Sequence, residues 1–171
     1  MDQVSRDRLA EVHPRLATKV LLIGDILEHE GMAIRVVQGL RTIAQQDALY
    51  AMGRTAPGKK VTNCPGGKSY HNFGLAVDCV PSSMDPTQPF APDWNPDHPV
   101  WKRMIEVAQS MALNCGATWR TFKDFPHFQF TGPFPEGEPN DELHALFNQG
   151  GLPAVWDAVS RGGVQNAVAG S

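Results

Sequence analysis

Apolar residues recur at Leu9, Val12, Leu16, Val20, Ile23 and Leu27, in steps of three and four that trace one face of an amphipathic helix. Pro14 falls inside that stripe and cannot donate to a continuing helix, so the pattern predicts two helices meeting near His13-Pro14. Residues 33–38 are short, rich in β-branched side chains and bounded by Gly31 and Gly39, which predicts a strand. Thr42 is placed to cap a helix running to about Met52, with Gly53 ending it. Residues 54–72 carry Pro57, Gly58, Pro65, Gly66 and Gly67 without any period and read as an irregular loop, of a length usually kept for function. A second strand is expected over 75–80, its alternation placing Ala76, Asp78 and Val80 on one face and Val77 and Cys79 on the other. Six prolines between Pro81 and Pro99 argue against both helix and central strand and predict a surface excursion. Trp101, Met104, Ile105, Ala108, Met111 and Ala112 then follow helical spacing, with Pro99 in the first turn and Gly116 beyond the end. Two short strands are expected at 117–119 and 126–130, the second with Phe128 and Phe130 facing one way and His127 and Gln129 the other. The tail from about 139 to 171 suggests two short helices, near 141–147 and 153–159.

The length of 171 residues suits one catalytic domain over 1–171, and 42% hydrophobic residues supply a core without help from disulfides. A monomer is expected. The net charge of −3, with no long run of either sign, excludes nucleic-acid binding that depends on a basic face. The best apolar run, from Val20 to Ile23, is far too short for membrane insertion, and the mixed-charge N-terminus lacks the apolar core of a secretory signal. Cys64, Cys79 and Cys115 cannot all pair and form no C-x-x-C motif, so free buried thiols are expected.

Several partial motifs fail on a single residue. Gly67-Lys68-Ser69 resembles the end of a phosphate-binding loop, yet Thr62 stands where the first glycine must be. His29-Glu30 opens a zinc-protease helix motif, but Ala33 occupies the place of its second histidine. A triad of Ser69, His71 and Asp78 lacks the Gly-x-Ser-x-Gly elbow. What survives is the pair of segments from Ser69 to Asp78 and from Asp124 to Gln129. Two imidazoles and one carboxylate, His71, Asp78 and His127, make a three-ligand set of the kind catalytic zinc uses, with the fourth position left for water. Gly74 lets the backbone turn between the His71 loop and the Asp78 strand. Asp124, three residues before His127, stands where a general base can reach that water. Taken singly, each histidine also reads as a hydrogen-bonded core residue. His13, His29, His98 and His144 have no matching partners and read as surface or capping residues.

These two segments, with Gly39-Leu40-Arg41-Thr42 and the following Gln46 and Leu49, resemble the zinc peptidases of peptidoglycan related to D-alanyl-D-alanine carboxypeptidases and dipeptidases and to hedgehog proteins. Within that group they look most like L-alanyl-D-glutamate endopeptidases, many of them phage endolysins. The resemblance covers about residues 9–130, and the Ser-x-His-x-x-Gly-x-Ala-x-Asp pattern followed by acid-x-x-His is specific in combination. It implies an α+β fold in which a small antiparallel sheet carries the zinc site and packs against helices. It further implies zinc on His71, Asp78 and His127 and an acidic base at Asp124, a position at which relatives carry Glu or Asp. Arg41 matches an arginine that contacts substrate and steadies the oxyanion, while Ser69 and Gln46 match polar positions near the substrate or the ligands. The other readings of these three are a surface ion pair, a loop cap and an exposed helix residue. The stretch 81–99 and the last forty residues match no motif.

The expected activity is hydrolysis of a peptide bond in peptidoglycan stem peptides, with the L-alanyl-D-glutamate bond favoured over a terminal D-alanine. A zinc-containing wall-binding module without activity and a purely structural zinc site are the other classes; the intact Asp124 speaks against the first, and the absence of clustered cysteines against the second. The sequence carries no signal peptide, which fits a lysin made in the cytoplasm and released to the wall, or equally a chain trimmed of its leader.

Overall fold

The computed structural model describes residues 1–85, 90, 92–95 and 97–168. In chain order the elements are α1 (Gln3–Leu9), α2 (Pro14–His29), β1 (Ala33–Gln38), α3 (Ile43–Ala51), a 3-10 turn (Tyr70–Phe73), β2 (Ala76–Ser82), α4 (Pro99–Ser110), β3 (Asn114–Cys115), a second 3-10 turn (Gly116–Thr118), β4 (His127–Gln129) and α5 (Asp141–Val168). They fall into two compact units, Met1–Gly39 with Ala76–Phe130, and Leu40–Leu75 with Thr131–Ser171.

The first unit holds the sheet, with strand order β1-β2-β4-β3 and antiparallel pairing throughout. Two of its helices, α2 and α4, start by one rule. His13 and His98 each precede a proline at the first helical position, and each accepts from a backbone N–H two residues on through Nδ1, Arg15 at 3.1 Å and Val100 at 3.3 Å. The proline cannot donate and its φ already suits a helix, so the histidine satisfies an otherwise orphaned donor. The stripe expected on α2 is buried as Leu16, Val20, Ile23 and Leu27, and the core of this unit also takes in Val36, Val77, Trp101, Met104 and Phe128. Leu16 and Leu27 are wholly buried, each contributing about 1.5–3 kcal/mol by removal from water.

Two expectations need correction in this unit. Pro81 belongs to β2, opposite Ile34 of β1. The partner on the other side, β4, pairs only with Ala76, Val77 and Asp78, so the missing N–H of Pro81 falls where that side carries no ladder. The strand expected at 117–119 is instead a 3-10 turn, and β3 lies just before it at Asn114–Cys115. Gly116 permits that turn, because a Cβ there would stand 2.4 Å from the Asp124 carbonyl oxygen. The remainder of the excursion expected at 81–99 falls partly on residues 86–89, 91 and 96, outside the described residues.

In the second unit α3 begins with a capping box, Thr42 Oγ1 accepting from Gln45 N–H at 3.1 Å and Gln45 Oε1 from Thr42 N–H at 2.8 Å. The loop after it is held by Arg54, which donates to the Tyr50 and Thr62 carbonyls at 2.7 and 3.0 Å and lies over the Tyr50 ring. Helix α5 leaves helical backbone at Gly150 and Gly151, the latter with φ 63°, so it forms two pieces, as expected, but longer than 141–147 and 153–159. Phe73 meets the rings of His144 and Phe147 edge-on, and Trp156 Nε1 donates to the Phe73 carbonyl at 2.7 Å. Among the described residues no helix is long and apolar enough to cross a membrane.

Candidate active site

Strand pairing brings two of the candidate ligands face to face. Asp78 on β2 lies directly opposite His127 on β4, and His127 Nδ1 stands 3.5 Å from Asp78 Oδ1. The other ring nitrogen of His127, Nε2, lies 2.9 Å from Gln129 Oε1, and the Trp119 ring packs at 5.1 Å on its flank. His127 and Gln129 are 6% and 2% exposed, so water has little access to either. Burial alone lowers the His127 pKa, but the neighbouring Asp78 carboxylate, with Asp124 and Gln129 adding to it, outweighs burial and raises the pKa above the ordinary imidazole value. The two-residue alternation puts Gln129 on the His127 face, and that spacing is its only signal in the sequence.

His71 sits in the 3-10 turn Tyr70–Phe73, which Ser69 opens and Gly74 closes in the left-handed region at φ 64°. Ser69 Oγ accepts from the His71 N–H at 3.4 Å, the capping contact of a loop serine. Asn72, nearly buried, ties this turn to the start of α3: its Oδ1 accepts from Gly67 N–H at 2.9 Å, and its Nδ2 donates to the Arg41 and Thr42 carbonyls at 2.8 and 3.3 Å. The His71 carbonyl in turn accepts from Arg41 N–H at 3.0 Å. His71, Asp78 and His127 are the candidate ligand set, and among the described residues no cysteine joins this group. Two imidazoles and a carboxylate suit a borderline divalent cation such as zinc and leave a coordination position open.

Asp124 stands on the loop leading into β4. Its N–H donates to the Gly116 carbonyl at 3.1 Å and its carbonyl accepts from His127 N–H at 3.2 Å, so its position is coupled to that of His127 through the backbone. Arg41 is half-buried and its Nη1 donates to Gln46 Oε1 at 2.6 Å. Gln46 is the one buried residue of α3 and is fully enclosed, with Nε2 donating to the Cys64 carbonyl at 2.7 Å and to Thr62 Oγ1 at 3.3 Å. An exposed helix residue it is not. Of the remaining histidines, His13 and His98 cap helices, His29 bonds the Asp25 carbonyl at 2.7 Å and His144 packs on Phe73.

Residues 62–130 match the family model described as D-alanyl-D-alanine carboxypeptidase, a span that contains His71, Asp78, Asp124 and His127. The chain is 29% identical over 123 residues to the peptidoglycan L-alanyl-D-glutamate endopeptidase CwlK of Bacillus subtilis (strain 168), covering 70% of this chain and 74% of that protein. Its fold is similar to the crystal structure of the Serratia marcescens L-Ala D-Glu endopeptidase ChiX, with a TM-score of 0.53 and 25% identity over 75% of this chain and 87% of that one. Motif, sequence and fold agree on one similarity, to the M15 peptidases described as D-alanyl-D-alanine carboxypeptidases.

Proposed function

We propose that this chain cleaves the L-alanyl-D-glutamate bond of peptidoglycan stem peptides, with zinc held by His71, Asp78 and His127. The choice of bond is carried by one observation: both CwlK and ChiX, each matched over most of its length, are endopeptidases for that bond. The donor set of two imidazoles and a carboxylate supports zinc. When bound, the ion supplies Lewis acidity, polarising the scissile carbonyl and acidifying the attacking water.

The remaining work belongs to the protein. Asp124 accepts the proton of the attacking water at its carboxylate and passes it to the departing amine. Arg41 stabilises the oxyanion as it develops, and its guanidinium is aimed by Gln46, whose burial and bonds to the Cys64 carbonyl and Thr62 leave it little freedom. Gln46 thus acts through Arg41 rather than by touching substrate, while Ser69 caps the His71 turn. No covalent enzyme intermediate is needed. The two buried thiols fit that scheme, since burial pushes Cys115 up to about 12 and Cys79 higher still, well away from nucleophilic character at neutral pH.

Digestion of purified sacculi with the zinc-loaded protein, followed by mass spectrometry of the new termini, tests this reading. New N-terminal D-glutamate is the expected product. Released D-alanine would instead make the chain a carboxypeptidase, and intact sacculi despite bound zinc would make it a binding module.

A further inference from the structure

We propose that Gln129 is a positioning residue that holds His127 in its Nε2–H tautomer and so turns the Nδ1 lone pair toward the metal. The inference rests on the reading of His127 as a ligand. A neutral imidazole carries one ring proton, and only the other nitrogen has a lone pair to give. Each ring nitrogen has an acceptor before it, since Asp78 Oδ1 faces Nδ1 and Gln129 Oε1 faces Nε2. If the proton settled on Nδ1, His127 and Asp78 would bond to each other, and the ring would present no lone pair toward the carboxylate it must share an ion with.

The distances decide the contest. At 3.5 Å the Asp78 contact is longer than an N–H···O hydrogen bond normally is, whereas the Gln129 contact at 2.9 Å is at the optimum. The amide oxygen can only accept, so Nε2 must be the donor. Gln129 is also well fixed. It lies on β4 opposite Ala76 of β2 and Asn114 of β3, and the two-residue period puts its side chain on the His127 face. At 2% exposure no bulk water can replace its oxygen. A neutral amide suits the task, since it claims the proton without adding a second carboxylate beside Asp78. Such outer partners of ligating histidines orient the ring and typically change metal affinity 10–100-fold when lost, by roughly that general measure.

Two readouts on the metal-free and zinc-titrated protein test this without reference to activity. Long-range nitrogen–proton correlation spectra, taken at a pH where the rings are neutral, should show His127 of the metal-free protein as the Nε2–H tautomer. In Gln129→Met, which keeps the length and loses the acceptor, that tautomer should give way to Nδ1–H, and zinc affinity in a chelator competition should fall by roughly 10–100-fold. Gln129→Glu, which keeps an acceptor, should retain the tautomer and bind zinc within a few-fold of wild type. The proposal is overturned if wild type carries Nδ1–H, a measurement that needs no variant to fold, or if Gln129→Met keeps both tautomer and affinity. Should wild type show Nε2–H yet bind no zinc, the proposed function fails while the tautomer assignment to Gln129 stands.

Discussion

Arg41 Nη1 donates to Gln46 Oε1 at 2.6 Å, and the Gln46 amide donates in turn to the Cys64 carbonyl at 2.7 Å. A buried glutamine therefore links the loop at Cys64 to the guanidinium proposed to meet the oxyanion. Gln46→Leu would strand Arg41 without this acceptor and leave the Cys64 carbonyl without this donor. We predict a stability loss of about 1–3 kcal/mol, the general penalty for leaving buried polar groups unpaired, read by denaturant titration. Arg41→Ala should instead leave the fold close to wild type and lower kcat by roughly 10²-fold or more, as removal of an oxyanion donor does. If kcat held and only KM rose, Arg41 would be a ground-state binder.

Gly116 fixes the distance between the loop bearing Asp124 and the strand bearing His127. A Cβ at this position would stand 2.4 Å from the Asp124 carbonyl oxygen, 3.0 Å from the Asp124 Cβ and 3.1 Å from the His127 Cβ. The first contact is with backbone and cannot be relieved by a rotamer change. Gly116→Ala should cost about 1–3 kcal/mol, the usual range for overpacking, and should depress hydrolysis beyond what its loss of folded protein explains. Activity per folded molecule, measured well below the melting temperature, separates the two effects.

Local features of the sequence were read well where one residue decides one element. His13-Pro14 and His98-Pro99 mark helix starts because cap and proline are adjacent, and the alternation around Asp78 and His127 follows from strand geometry alone. What depends on distant residues was not legible. Ala117 looked extended because the reason for the turn, the approach of Asp124 to Gly116, lies outside any local window. Pro81 looked disqualifying because the sequence does not say that β4 stops pairing before reaching it. Gln46 and Gln129 are invisible as buried acceptors, since a glutamine that accepts inside a core is written with the same letter as one in water. The candidate ligands stand out because their residue types and spacing coincide with a known pattern.

Removing the metal should invert the pH dependence of stability. In the metal-free protein the His127 pKa is raised, which means the folded state binds that proton more tightly than the unfolded chain. This contribution is fully present below the unfolded imidazole value of about 6.5 and is lost as pH rises through the raised folded value. Zinc demands the opposite, because the proton must leave before the ring can bind it. Melting temperature in chelator should therefore fall as pH climbs across that window, whereas stabilisation by added zinc should grow. Parallel slopes with and without zinc would remove His127 from the ligand set.

Asp124 separates an enzyme from a binding module. It lies three residues before His127, on a loop pinned by the hydrogen bond from its own N–H to the Gly116 carbonyl and by the one its carbonyl accepts from His127, so the backbone sets its placement. Its side chain is one methylene shorter than the glutamate that serves as base in some relatives, which makes that backbone placement matter more. Asp124→Asn preserves size and removes the ability to take a proton. Zinc content should stay near that of wild type, since no member of the His71, Asp78, His127 group is altered, while hydrolysis of sacculi should fall by roughly 10²–10⁴-fold, the usual contribution of a general base. Asp124→Glu should keep part of the activity, provided the loop yields to the longer reach. Loss of zinc in Asp124→Asn would make the residue a fourth ligand and the site a closed structural one, and cleavage at the wild-type rate would leave the proton transfer without its base. Metal analysis and cleavage measured on the same preparation distinguish these outcomes, because the base reading alone requires full zinc together with lost hydrolysis.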